Sequence, residues 1–259
     1  MASWPPGVGR EIHDRLDSTN AEGLRRAALG ERGPVWILAR EQTAGRGRRG
    51  RAWASPEGAF AASLMLRPPT APEAALRSFT MALALHDAAA AFVPAGRLSL
   101  KWPNDVLLDG RKLAGILLES QTAPDGGVAL VIGVGVNLAL PPDGAALEAG
   151  ALAPISLAAA APEAPPTPEA FLDVLAPAFH AWDKRLVAEG FGPVREAWLA
   201  RAARLGEPVI ARLPDREVNG LFETVDPAGA LVLATEAGRV TLPAAEVHFP
   251  QEPRHASRD

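Results

Sequence analysis

Leu98-Ser99-Leu100-Lys101-Trp102-Pro103-Asn104-Asp105-Val106-Leu107-Leu108-Asp109-Gly110-Arg111-Lys112-Leu113-Ala114-Gly115-Ile116-Leu117-Leu118-Glu119 reads as three short strands and two tight turns. Pro103 forces Trp102 out of the helical region, and Asn104-Asp105 favour a turn. Asp109-Gly110 between apolar runs is a hairpin signal. After Pro124-Asp125-Gly126-Gly127 comes a further apolar run, 128–138, with Gly133 and Gly135 inside it. Four apolar segments joined by short turns predict a meander, so the centre of the chain is an antiparallel sheet.

Working outward, residues 11–16 alternate in polarity as a strand does, and Asp17-Ser18-Thr19-Asn20 supplies helix-capping side chains. Thr19 with Glu22 fits a capping box for a helix over 20–29, stopped by Gly30 and Gly33. Residues 35–39 and 59–66 read as buried strands, with a polar loop at 42–51 between them. Residues 72–92 carry apolar groups at helical spacing behind Pro72. Downstream, 141–168 is Ala/Pro-rich and irregular, and helical patterns resume at 169–189 and 194–203. From Gly206 the texture changes to evenly spaced strands (208–213, 218–225, 230–235, 239–242), which predicts a small barrel. The expected division is a first domain over 1–205, the barrel over 206–250 and a frayed tail over 251–259.

The 259 residues carry 26 Lys+Arg against 30 Asp+Glu, a net charge of −4, which excludes a generally basic nucleic-acid coat. The chain is long enough to bury roughly 70–75% of its unfolded surface. It has no cysteine, so disulfides, thiolate metal sites and a cysteine nucleophile are excluded. No apolar run approaches the roughly 20 residues that span a bilayer, and residues 1–10 lack the pattern of a signal peptide. The expectation is a cytoplasmic protein. The five histidines are scattered without ligand spacing, so a metal site built by the protein is not expected.

Four stretches carry chemistry. Gly45-Arg46-Gly47-Arg48-Arg49-Gly50-Arg51 places four guanidinium groups among three glycines, a combination suited to holding phosphate or carboxylate. It formally matches a dinucleotide fingerprint, but residues 51–66 read as loop and strand, where that fingerprint requires a helix. A solvated basic loop or an RNA contact accounts for the same composition. Lys101 to Asp105, taken alone, is better read as a structural turn. Lys112 stands at the mouth of a hairpin, where lysines are also surface filler. Gly133-Val134-Gly135-Val136-Asn137 puts glycines inside a buried strand, which marks either close approach of a ligand or tight packing.

Together and in this order, Asp17-Ser18-Thr19-Asn20, Glu41-Gln42-Thr43-Ala44 with the Gly/Arg run, Lys101 to Asp105, Lys112 to Leu117 and Gly133 to Asn137 resemble the biotin–protein ligases. The resemblance implies an α+β fold, a mixed and largely antiparallel sheet flanked by helices (class II synthetase-like), with a small C-terminal Src-homology-3-like barrel. It implies ATP-dependent activation of biotin to biotinyl-5'-AMP, with Mg²⁺, and transfer to a lysine of the biotin carboxyl carrier protein of acetyl-CoA carboxylase or a related carboxylase. Lys112 and Arg48 are then the catalytic candidates. Ser18, Thr19, Asn20, Gln42, Arg46, Gly47, Arg48, Lys112 and Gly115 are the biotin candidates. Arg46, Arg48, Arg49, Arg51, Trp53, Lys101, Asn104, Lys112 and Asn137 are assigned to the nucleotide, and Asp105 to the metal.

Two carboxylate- and phosphate-bearing substrates must meet in a closed site, which Arg46, Arg48 and Lys112 are suited to neutralise. The neutral ureido ring needs hydrogen bonds instead, which Ser18, Thr19, Asn20 and Gln42 can supply. Three glycines make the loop costly to order, so it is expected to fold over the adenylate on binding. Only about ten residues precede the first strand, which predicts a ligase with no DNA-binding repressor role and no membrane contact. A homodimer is left open by an exposed sheet edge. The alternatives are a lipoate or octanoate ligase or transferase of the same fold and a non-catalytic nucleic-acid-binding adaptor.

Overall fold

The computed structural model describes residues 3–53, 56, 58–139, 152–161 and 165–250. Strand β1 (Gly9–Leu16), helix α1 (Thr19–Ala28) and strand β2 (Val35–Gln42) form a crossover unit in which the two strands are parallel. Every other pairing is antiparallel: β3 (Phe60–Leu66), β4 (Leu98–Lys101), β5 (Asp105–Leu108), β6 (Arg111–Thr122) and β7 (Val128–Val136) complete a seven-stranded sheet of order β1-β2-β3-β7-β6-β5-β4. The meander expected from the turns at 102–105, 109–110 and 124–127 is the β4-β5-β6-β7 half of this sheet.

Alternation along the central strands sorts the core into two layers. Trp36, Leu38, Leu64, Leu66, Leu130 and Ile132 belong to the large cluster under α2 (Ala71–Ala89), α4 (Pro168–Glu189) and α5 (Phe191–Leu199). Val35, Met65 and Val131 face the other way and pack with Ala27 and Leu24 of α1. Being short, α1 covers part of that face. The uncovered remainder is where β6 and β7 bring Gly115 opposite Gly135 and Leu117 opposite Gly133.

Two expectations are corrected. The cap of α1 is Ser18, whose side chain accepts from the Ala21 N–H; Thr19 is the first helical residue and Glu22 pairs with Arg25 and Arg26, so no Thr19–Glu22 box forms. The helix expected over 194–203 stops at Leu199, because residues 201–203 turn to bond Leu100 on the outer edge of β4: Leu100 N–H to Arg201 O is 2.8 Å and Ala203 N–H to Leu100 O is 2.7 Å. The irregular connection contains a short helix, α3 (Leu157–Ala160), while residues 140–151, 162–164 and the tail 251–259 lie outside the described residues.

The C-terminal strands β8 (Pro208–Arg212), β9 (Glu217–Val225), β10 (Leu231–Thr235), β11 (Gly238–Leu242) and β12 (Glu246–His248) form a second, wholly antiparallel sheet of order β11-β10-β9-β8-β12. Trp198 of α5 meets Phe222 of β9 edge-on at 6.4 Å, and Trp102 Nε1 donates to Gly229 O at 3.1 Å. These contacts place β12 beside the Gly/Arg loop. Among the described residues no helix is long and apolar enough to cross a membrane.

Candidate active site

The N-terminus of α1 points its first side chains onto the uncovered sheet face, and there they form a buried polar cluster. Ser18, Thr19 and Asn20 are each 3–4% exposed, and Ser63 of β3 is fully buried. Thr19 N–H donates to Gln42 Oε1 at 2.9 Å, and Thr19 Oγ1 lies 3.1 Å from the same oxygen. Ser63 Oγ is 2.7 Å from Thr19 Oγ1 and 2.5 Å from Asn20 Oδ1. Asn20 Nδ2 donates to Glu119 Oε2 at 2.7 Å and to Leu117 O at 3.3 Å. Asn20 fits only because position 133 is glycine: a Cβ there would lie 2.1 Å from Asn20 Oδ1.

Two residues further along β7, roughly 7 Å at the usual rise per residue, the floor is again glycine. Here the Trp53 indole rests on the sheet. A Cβ on Gly135 would stand 2.3 Å from its Cε2, and one on Gly115 would stand 3.2 Å from its Cζ3. The Trp53 N–H is buried with no hydrogen-bond partner among the described residues. The Lys112 ammonium lies 5.7 Å from the indole centroid and 2.7 Å from Asp105 Oδ1, a Coulombic contact rather than an aligned hydrogen bond. Lys101 approaches the other oxygen of Asp105 at 3.8 Å. Burial holds the Lys101 ammonium below the usual lysine range, against the pull of Asp105. Phe249 covers it, ring centroid 5.6 Å from Nζ.

Arg48 turns inward. Its guanidinium donates to Asn104 Oδ1 at 3.2 Å, and Asn104 is itself fixed by a 2.7 Å bond from Nδ2 to Ile116 O. Burial lowers its pKa, with Asp105 acting the other way. Arg49 and Arg51 point to the second sheet, where both bond Glu246 at 2.9 and 2.6 Å, and Arg46 stands 3.4 Å from Glu119. The hydrogen bonds from Arg51 lead in holding Glu246 down at about 2. Around Asp105 and Glu246 there are thus five cations: Arg48, Arg49, Arg51, Lys101 and Lys112. Excess positive charge of this kind is built for anions.

The structure brings most of the expected site residues together: Ser18, Thr19, Asn20 and Gln42 at one end, and Trp53, Lys101, Asn104, Lys112 and Gly115 with Arg48 at the other. Asn137 is different. It is 2% exposed, and its amide donates to Lys112 O and Ile155 O, so it braces the backbone behind Lys112. Gly47 takes part through its backbone, donating to Arg51 O at 2.7 Å to close the loop. Asp105 faces both ammonium groups, Lys112 at 2.7 Å and Lys101 at 3.8 Å, and its Oδ1 accepts no hydrogen bond among the described residues. Ser63, Glu119, Glu246 and Phe249 were not among the expected residues. A lone serine in the apolar run 60–66 was a readable signal; the other three gave none.

Residues 13–137 match the biotin/lipoate A/B protein ligase family, and residues 205–249 match the biotin protein ligase C-terminal domain. The chain is 56% identical to the biotin–[acetyl-CoA-carboxylase] ligase of Paracoccus denitrificans over 91% of its own length and 98% of that protein. The chain belongs to the biotin protein ligase family. A second relative, the biotin–[acetyl-CoA-carboxylase] ligase of Mycobacterium tuberculosis, is 34% identical over 92% of this chain and 87% of its own. Among solved structures, the biotin protein ligase of Aquifex aeolicus in complex with biotin and ATP superposes with a TM-score of 0.76 at 22% identity, covering 94% of this chain and 99% of that one. That likeness carries the fold: a mixed α+β catalytic sheet flanked by helices and a C-terminal antiparallel sheet are the architecture of biotin protein ligases.

Proposed function

We propose that this chain is a biotin–protein ligase that acts in two steps. A biotin carboxylate oxygen attacks the α-phosphorus of ATP, pyrophosphate leaves, and biotinyl-5'-AMP remains. The amine of a carrier lysine then attacks the anhydride carbonyl, the C–O bond to AMP breaks, and an amide forms. The acceptor is the biotin carboxyl carrier protein of acetyl-CoA carboxylase, and the setting is the cytoplasm. The 56% identity to the Paracoccus enzyme over nearly the whole chain supports the reaction.

One observation supports where it happens: a buried neutral polar cluster and a cation cluster stand at the two ends of one glycine floor. The ring of the acid belongs at Thr19 and Gln42, its chain over Gly133 and Gly135, and its carboxylate by Lys112. Trp53 now rests on that floor, so its indole moves to accommodate the acid and stacks beside the adenine. Lys112 neutralises the carboxylate and the α-phosphate as charge develops, and Asp105 keeps its ammonium at that position. Arg48, held by Asn104, faces the phosphates, Lys101, Arg49 and Arg51 add positive charge around them, and Arg46, beside Glu119, stands nearer the ring of the acid. Mg²⁺ enters on the phosphates as MgATP, and Asp105, whose Oδ1 accepts no hydrogen bond among the described residues, is the carboxylate that would help hold it. The catalytic unit spans 1–205 and the C-terminal unit 206–250, with 251–259 as a tail.

A lipoate or octanoate ligase would have to leave the Thr19–Ser63–Asn20 cluster facing an apolar chain, at the cost of unpaired polar groups. Incubation of the purified protein with labelled biotin, MgATP and a carrier domain tests both steps. Label covalently attached to the carrier is the expected result. Label attached only when lipoate or octanoate replaces biotin would reassign the enzyme.

A further inference from the structure

Ser63 is an anomaly in its strand. Phe60–Leu66 is buried throughout, and Ser63 sits at its centre, paired with Ile37 on one side and Gly133 on the other. Its oxygen is within hydrogen-bond distance of both Thr19 Oγ1, at 2.7 Å, and Asn20 Oδ1, at 2.5 Å. A hydroxyl has one proton, so it cannot donate to both. Counting protons settles which.

Asn20 uses its NH₂ on Glu119 Oε2 and Leu117 O, a carboxylate and a carbonyl that accept only, so the atom it turns to Ser63 is its oxygen. That oxygen has no proton to give. The Ser63 proton therefore goes to Asn20. Left as an acceptor toward Thr19, Ser63 takes the Thr19 proton across the 2.7 Å contact. Thr19 Oγ1 also stands 3.1 Å from Gln42 Oε1, the longer of its two contacts, and the single hydroxyl proton goes to Ser63 at 2.7 Å. What remains on Thr19 Oγ1 is a lone pair and no proton.

We propose that Ser63 and Glu119 are positioning residues that fix this one-way chain, Thr19 to Ser63 to Asn20 to Glu119, and so present Thr19 Oγ1 to the substrate as a pure acceptor. The acid selected is one whose ring offers an N–H at that point, as a cyclic urea does. A ring presenting an oxygen there sets lone pair against lone pair in a buried site. The inference rests on the placement of the acid's ring at Thr19 proposed above.

Binding of biotin and of the two cyclic carbamates in which one ring N–H is replaced by O is measured by calorimetry on the full chain. The wild-type protein is expected to bind one carbamate at least a hundredfold more weakly than biotin. In Ser63→Ala the Thr19 hydroxyl loses its shorter acceptor and can turn its proton to the ring as well as to Gln42 Oε1, and that ratio is expected to fall to about tenfold or less. A residue that only fills space would weaken all three ligands together and leave the ratio alone. Glu119→Gln, which removes the stronger of the two obligate acceptors holding the Asn20 amide and leaves Leu117 O, lowers the ratio in the same direction and serves if thermal melting shows Ser63→Ala to be unfolded. An unchanged ratio in the folded variants overturns the directed chain while leaving the ring at Thr19. No discrimination in the wild type overturns the placement of the ring itself, and the chain with it.

Discussion

The two ends of the glycine floor are built differently. At one end, Thr19, Asn20 and Ser63 are almost wholly buried, and each is held by hydrogen bonds to α1, β3 or β6. At the other, Arg49 and Arg51 are nearly half exposed and reach about 195 residues along the chain to a single carboxylate, Glu246. The first end recognises by geometry fixed in the fold. The second neutralises charge with ion pairs that an incoming polyanion can replace, and exposed pairs of this kind contribute little stability of their own. Selection and neutralisation are thus assigned to separate regions with different sensitivities.

The sharpest test of that division is Lys112→Ala. Exchange of pyrophosphate into ATP should fall by about a hundredfold or more, the usual effect of deleting a donor to developing charge, with the thermal melt unchanged. Near-normal exchange would remove Lys112 from its role. Next in size, Gly133→Ala drives a Cβ against Asn20 Oδ1. Biotin affinity should drop by about tenfold or more, with stability lower by roughly 1–3 kcal/mol as in overpacked cores, and KM for ATP should stay within twofold.

Salt separates the two ends without mutation. Because the Debye length shrinks from about 10 Å at 0.1 M to about 3 Å at 1 M, ATP binding should weaken several-fold over that range while biotin binding changes less than twofold. Equal sensitivity would erase the contrast. Smaller still, Glu246→Gln should speed hydrogen exchange over residues 45–53 a few-fold, and biotin with ATP should slow it again. In the wild type, the Glu246 carboxyl titrates near 2 instead of its ordinary 4.5, so its contribution to stability is complete above about 4.5 and is lost as pH falls toward 2. The least effect is expected from Asp17→Asn, which breaks a half-exposed pair with Arg25: under about 1 kcal/mol, with no change in either affinity.

Much of this was legible in local sequence. Asp109-Gly110 and the turn at 124–127 announced the β5-β6-β7 meander because turn chemistry acts over a few residues. Ser18 to Asn20 announced a helix cap for the same reason, while Gln42 was joined to them by the family resemblance alone. Glu246 was invisible: it lies on a three-residue strand, and its meaning depends on a loop almost 200 positions away. Asn137 is assigned to the nucleotide by the resemblance alone; its NH₂ is used on Lys112 O and Ile155 O, while its Oδ1 is buried with no hydrogen bond among the described residues. The cap of α1 shifted from Thr19 to Ser18 because a neighbouring β-strand, through Gln42, claims the Thr19 backbone.

The indole resting on Gly135 also makes the molecule its own optical gauge. Trp36, Trp102 and Trp198 are sealed in the core, and the indole N–H groups of Trp4 and Trp182 are tied to Val8 O and Asp87. Trp53 lies on the glycine floor beside a lysine ammonium, its N–H unpaired among the described residues, so its emission should shift in colour and intensity when vitamin arrives. Occupancy can then be followed in a cuvette with no label attached.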